Sequence, residues 1–341
     1  MHSIRSFFVR RPRSVAAALA IATVLVLGAS FAPPVRAADA SKGKKVLYLE
    51  TFTTNPYVSA LVKAFRERAE SYGMEVTVLA SGLDAALQAQ QVDNAIARKF
   101  DFLAIQPLSE QGIVPSLVRA KQAGMPVLIV NNPVRQGSED LYMSFVGQDQ
   151  VELGRIAGES ILQALKESGR DGGKIALITG VLQQGIGPRR LTGIRKALQA
   201  NPKAEIVAVE DAAWATPQAE RIAGQLYARF AAGGGLDVVY GMADNLSVAA
   251  IKAAQAAKIP VGMGSKQLIV VGGNCLKEGL DAIRAGQQYS TIVQSPTDVG
   301  KSAADAINDY FSGKKLPKES LLPVVPVTKA NVDKWVAPCT F

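Results

Sequence analysis

The stretch Val46-Leu-Tyr-Leu-Glu-Thr51 has the length and apolar character of a buried strand, and it runs straight into the polar turn Phe52-Thr-Thr-Asn-Pro-Tyr57. Asn55-Pro56 reads as a helix start, with Asn as the N-cap and Pro at the first helical position, where its missing N–H costs nothing. A strand that stops at a polar crown and restarts as a helix is one βα unit. That single pattern constrains the fold more than composition does, because the rest of the chain repeats it. In open α/β sheets ligands sit outside the carboxyl ends of the strands, so the segment Thr51 to Tyr57 is where a small molecule is expected.

The repeat can be followed along the chain. A helix is expected over 56–72, stopped by Gly73, then a strand over 75–80 and a helix capped by Asp84. Strands over 100–105 and 126–130 end at Gln106-Pro107 and Asn131-Asn132-Pro133, and a short strand over 142–146 leads into a helix over 150–168. Gly169-Arg-Asp-Gly-Gly173 resets the pattern. Strands follow over 174–179, 204–209, 236–240 and 268–272, with helices near 189–200, 217–231 and 246–257. A last core strand lies over 289–293 and a helix over 297–311. Alternation at this period is the mark of right-handed βαβ units on parallel sheets. The expected fold is α/β: two doubly wound parallel-sheet lobes joined by a multi-strand hinge, open towards each other across a cleft. The expected division is residues 44–148 plus 295–322 for the N-terminal lobe and 149–294 plus 323–341 for the C-terminal lobe.

The first 37 residues read differently. Arg5, Arg10, Arg11 and Arg13 precede an apolar segment from Val15 to about Ala29, and small residues follow at Ala37 to Ala40. This is the layout of a secretory signal cleaved after Ala37 or Ala40, with an apolar run too short to span a bilayer. Export to the periplasm is therefore expected. Removing residues 1–37 takes away five arginines and no acid, which lowers the formal net charge from +9 to +4. The basicity belongs mostly to the signal, so a nucleic-acid role is not expected.

The one histidine, His2, leaves with the signal. Without imidazole, Ser-His-Asp, Cys-His and His-ligated metal chemistry are all excluded. Nor does a Gly-x-Gly-x-x-Gly turn follow any strand: Gly185-Ile-Gly187 continues into Pro-Arg-Arg190. An enzyme is disfavoured, and no cofactor or metal is called for. Cys275 and Cys339 form an even pair, which in an oxidising compartment reads as a disulfide pinning the tail, with two separate thiols as the alternative.

Taken together, these motifs resemble the sugar-binding branch of the type I periplasmic solute-binding proteins, the ribose-binding-protein-like family. Thr54-Asn55-Pro56-Tyr57 resembles its first ligand loop and Ile105-Gln106-Pro107 its second strand end. Pro126 to Asn132 resembles the following strand, Arg190-Leu-Thr-Gly193 the Arg-x-x-Gly helix start, and Ile292-Val-Gln294 the hinge strand. The resemblance covers about residues 45–322. It implies a monomeric receptor that closes on one small polar ligand, a sugar, polyol or sugar derivative, and hands it to the membrane permease of an ABC importer. A sensory protein of the same shape, reporting to a chemoreceptor or histidine kinase, is the alternative.

The residues that the resemblance places in the cleft are Thr51, Asn55, Tyr57, Gln106, Asn131, Asn132, Arg190, Trp214, Asp244, Asn274 and Gln294. Asn55 doubles as a helix cap, Tyr57 and Trp214 offer ring faces to the C–H side of a ligand, and Arg190 offers a planar fork. Arg189 beside it is expected in solvent, and Asp244 has helix capping as its plain alternative. Asn131 and Asn274 stand where many relatives carry carboxylates. That departure opens the ligand to neutral polyols, modified sugars or a carboxylate facing Arg190.

Overall fold

The computed structural model describes residues 40–51 and 55–340; the export signal expected over residues 1–37 lies outside them. The first sheet is built from β1 (Lys45–Glu50), β2 (Glu75–Ala80), β3 (Phe102–Ile105), β4 (Val127–Val130) and β5 (Ser144–Gly147), with helices α1 (Pro56–Ser71), α2 (Ala85–Ala97) and α3 (Val114–Gln122) between them. Its strand order is β11-β5-β4-β3-β1-β2, all parallel, where β11 (Glu319–Leu321) arrives late from the C-terminal tail. Both faces are covered, as a parallel sheet requires. Val46 and Tyr48 pack with Phe65 of α1 and Val299 and Ile307 of α9 (Pro296–Phe311), whereas the alternate residues Leu47 and Leu49 pack with Val92 and Leu117 on the other side.

The second sheet takes β6 (Gly173–Thr179), β7 (Ala204–Asp211), β8 (Val238–Gly241), β9 (Ile269–Val271) and β10 (Ser290–Ile292) in parallel. It ends in β12 (Pro326–Thr328), antiparallel to β10, giving the order β12-β10-β9-β8-β6-β7. Pro326 sits on this edge strand, where a missing N–H is tolerated. Helices α4 (Gln150–Glu167), α5 (Ile186–Leu198), α6 (Thr216–Phe230), α7 (Asp244–Ala256) and α8 (Lys277–Arg284) flank it. The chain passes between the sheets three times: after β5, after β10 and between β11 and β12.

Some local features differ from the sequence reading. The helix expected near 189 begins at Ile186, because Gly185 takes the left-handed conformation at φ 76° and ends the preceding turn early. Helix α8 went unread: with eight residues it shows an apolar stripe of only Leu280 and Ile283. The tail strands β11 and β12 are three residues each, too short for alternation to register.

Helices α4 and α5 approach unusually closely. A Cβ at Gly193 would lie 2.0 Å from the Val151 carbonyl oxygen, and one at Gly154 would lie 2.0 Å from that of Arg190. The absence of side chains there lets the two helix backbones touch and sets the position of Arg190.

Cys275 and Cys339 are joined in a disulfide across 64 residues, inside a small apolar cluster with Leu280, Ile283, Val327 and Val332. The staple holds the tail to the strand end that carries Asn274. Closing a loop of this length is worth roughly 4 kcal/mol in the chain-entropy model. Urea unfolding with and without reductant is expected to show a midpoint lowered by a comparable loss, with the Cys275→Ala/Cys339→Ala variant behaving as the reduced protein does.

Candidate ligand-binding cleft

One cavity lies where the strand ends of the two sheets face each other. Its walls are Thr51, Asn55, Tyr57, Val58, Gln106, Asn131 and Asn132 from the first lobe, and Gln184, Ile186, Arg190, Trp214, Asn274 and Gln294 from the second. Ten of the eleven residues singled out from sequence thus come together, and Asp244 does not. Each stands just beyond an apolar strand or in the first turns of a helix, as the βα pattern dictates: Thr51 after β1, Gln106 after β3, Asn131 after β4 and Gln294 after β10.

The first-lobe wall is a chain of amides. Tyr57 donates from its hydroxyl to Asn131 Oδ1 at 3.2 Å, Asn131 Nδ2 donates to Asn132 Oδ1 at 2.9 Å, and Gln106 Nε2 reaches the same oxygen at 3.4 Å. Asn132 in turn donates to the Pro107 carbonyl at 2.8 Å. Behind them Gln88 of α2 pins the 106–108 loop by donating to the Gln106 carbonyl and accepting from the Leu108 N–H. Thr51 Oγ1 and Gln106 Oε1 are buried and have no partner among the described residues. An unpartnered buried polar atom costs about 1–3 kcal/mol, so two of them on one cavity wall are a standing demand for a ligand that supplies hydrogen bonds.

The second-lobe wall is organised by Arg190, which is 3% exposed. Its Nε donates to Gln150 Oε1, Nη1 to the Met242 carbonyl and Nη2 to Gln294 Oε1, each at 2.8 Å, with Asn274 Oδ1 at 3.4 Å from Nη1. Burial pulls the guanidinium below its ordinary range, and the nearby Tyr240 and Tyr57 act in the opposite direction. Burial also raises the phenols of Tyr57 and Tyr240, so neither supplies an anion.

Trp214 stands 6.0 Å from the Arg190 guanidinium carbon, its indole N–H donating to Gln184 Oε1 at 2.7 Å. The ring lies over Gly180, where an added Cβ would fall 1.8 Å from it. Asn131, Trp214 and Asn274 all have left-handed backbone, at φ 60°, 61° and 74°. Asn visits that region more readily than other non-glycine residues. For Trp214 the strain is held by Asn245, which donates to its carbonyl at 3.1 Å, and such held strain concentrates where side chains are aimed for function.

The lobes meet beside the cavity. Arg189 donates to the Val134 carbonyl at 2.9 Å and lies 3.5 Å from Glu110, so it latches the second lobe to the first instead of standing in solvent. At the hinge Gln294 Nε2 faces Gln148 Oε1 at 3.5 Å. This arrangement sets an amide wall opposite a cationic wall. It presents no nucleophile and base pair. Among the described residues no group of His, Cys, Asp or Glu is placed to hold a metal.

A family model described as a periplasmic binding protein domain matches residues 48–315. The chain belongs to that family. This binding protein is 25% identical over 318 residues to the ribose import binding protein of Bacillus subtilis, covering 92% of the chain and 97% of the relative. Among solved structures it resembles a galactofuranose binding protein with a TM-score of 0.80 at 18% identity, over 86% of this chain and 97% of that one. The fructose binding periplasmic domain of a hybrid two component system superposes with a TM-score of 0.76 at 24% identity, over 86% and 93%. The fold of this binding protein is accordingly the two-lobed type I arrangement, and its role is binding, not catalysis.

Asp244 corrects the sequence reading of this binding protein. The residue is fully buried at the start of α7, and its carboxylate turns away from the cleft to accept from Gln288 Nε2, the Leu276 N–H and Thr291 Oγ1 at 2.7–2.8 Å. It caps no helix either, since Ala243 is the N-cap and no side chain caps α7. Asp244 ties α7 to β10 and α8 below the cleft. Burial raises its pKa from 3.8 to about 7, against the opposing pull of its three donors. The folded chain therefore binds this proton more tightly than the unfolded one, so the group's contribution to stability is whole below about pH 4 and lost as pH rises through about 7. The unfolding free energy is expected to fall between about pH 4 and 7, with a shallower fall in Asp244→Asn.

Sequence reasoning also missed Gln184, which holds the Trp214 indole, and Gln148 and Gln150, which flank Asp149 and hold Gln294 and Arg190. Only their position at the crossing after β5 marks the last two, and polar residues there read as ordinary helix lead-in.

Proposed function

We propose that the mature chain is a periplasmic receptor that takes one small polyhydroxylated molecule, a sugar, polyol or sugar derivative, into the interlobe cavity and delivers it to the permease of an ABC importer. The eleven residues named from sequence, less Asp244, are its ligand set. Closure runs about the three crossings that join residues 44–148 plus 295–322 to residues 149–294 plus 323–341. What carries the reading is the cavity wall itself: side chains from both lobes converge on it, and Thr51 Oγ1 and Gln106 Oε1 stand there buried and unpartnered. Hydroxyl groups both donate and accept, which is what a wall of amides recognises, and a missing hydroxyl leaves a buried group unpaired. The import role is supported by the B. subtilis relative, which the chain matches over nearly its full length. The shared fold of a two component system's periplasmic domain keeps the sensory role as the alternative.

Thermal-shift screening of the mature protein against sugars, polyols and sugar acids tests the receptor reading. A ligand at about 100 times its Kd stabilises by about 2.7 kcal/mol, a clear rise in Tm. Trp214→Ala is expected to abolish that rise while the ligand-free protein still folds, because the ring is only partly buried and packs against the second-lobe core from outside it. A screen in which no such molecule shifts Tm contradicts the reading.

A further inference from the structure

The electrostatics of the cavity narrow the ligand class, on the basis of the receptor reading above. Arg190 is the one charged residue among the described residues that line it, and no Asp or Glu joins it there. Residues 52–54, Phe-Thr-Thr, contain no acid. Every group that Arg190 touches is neutral: the amides of Gln150, Asn274 and Gln294, the Met242 carbonyl and the Tyr240 phenol. None of the ion pairs among the described residues includes it, whereas its neighbour Arg189 has Glu110. Asp244 is buried in the same lobe but spends both oxygens on Gln288, Leu276 and Thr291.

A buried cation without a counter-ion is unfavourable, and neutral dipoles offset that only in part. A ligand anion at Arg190 removes the imbalance, and it does so most strongly when closure has excluded water. The opposite wall, made of Gln106, Asn131 and Asn132, has no charge and suits hydroxyls. The two walls therefore ask for different ends of one molecule. We infer that the preferred ligand is a small polyhydroxylated monocarboxylate, a sugar acid held with its carboxylate at Arg190 and its hydroxyls against the first-lobe amides.

Calorimetric titration of matched probes tests this: D-ribonate against D-ribose and ribitol, D-xylonate against D-xylose and xylitol, and D-galactonate and D-galacturonate against D-galactose. The tightest-binding set is expected to show its acid at least 10-fold tighter than its neutral members. Asn274→Asp, which places a carboxylate beside Nη1, is expected to cut the ratio of acid to neutral affinity at least 10-fold, whatever it does to the affinity of the neutral members themselves. A neutral probe that binds the unaltered protein as tightly as its acid overturns the anion preference and leaves the receptor reading standing. An Asn274→Asp variant that folds and keeps the full preference for the acid also overturns it. If no probe of either kind binds, the receptor reading itself falls, and this inference with it.

Discussion

Arg190→Ala is expected to abolish ligand binding and to lower the unfolding free energy of the ligand-free protein by about 3 kcal/mol. Both effects follow from the number of elements that converge on one guanidinium. Gln150 comes from the first turn of α4, Met242 from the end of β8, Asn274 from the end of β9 and Gln294 from the hinge after β10. Truncation removes a costly buried charge, which favours the variant. It also strands the Gln150 and Gln294 amide oxygens and the Met242 carbonyl in a water-poor pocket, at about 1–3 kcal/mol each. The second term outweighs the first. Arg190→Lys keeps the charge but gathers its three donors on one nitrogen, which cannot span acceptors that Arg190 serves from three separate nitrogens. It is expected to recover part of the stability and to bind at least 10-fold more weakly than the unaltered protein. Urea unfolding read beside calorimetry separates the two losses.

Gly193→Val is expected to cost at least 4 kcal/mol of stability, with Gly154→Val comparable. In an ordinary exposed helix, replacing glycine by a residue with a side chain stabilises or is nearly neutral. Here the new Cβ would stand 2.0 Å from a backbone carbonyl oxygen of the facing helix, and backbone cannot rotate aside as a side chain does. The helices must separate, and α5 carries Arg190 with it. Gly224, exposed on α6 with nothing within 4 Å of its would-be Cβ, is the control. Gly224→Ala is expected to stabilise by about 0.5–1 kcal/mol. Opposite signs for chemically similar changes in one lobe, read by thermal unfolding, are the signature of the close α4–α5 contact.

The parts of this molecule that were legible in the sequence are those governed by local physics. Apolar runs of four to six residues ending in Thr51, Gln106 or Asn131 announce buried parallel strands and their polar ends. Asn55, Asp84 and Asp149 announce helix starts, where each caps as its side chain allows. Since a parallel sheet collects its strand ends at one edge, the cavity walls follow from the same signal. The illegible parts depend on where a side chain turns after the backbone is placed. Asp244 lies at the first position of α7, from which a carboxylate can turn towards the cleft or beneath it, and Gln288, 44 residues away, draws it beneath. Arg189 and Arg190 are adjacent, yet one latches the lobes and the other fills the wall, because successive residues on a helix point about 100° apart. Gly154 reads as an ordinary helix residue, and Gly193 as part of a motif whose physical reason is hidden, until the two helices are seen in contact.

Small-angle X-ray scattering of the mature protein, without and with the tightest ligand from the screen, is the most direct test that a molecule is held between the lobes by closure. The radius of gyration is expected to fall on binding and to reach its lower value at one equivalent of ligand, with no fall in Arg190→Ala. An unchanged radius at saturation would mean that the molecule binds somewhere other than between two moving halves.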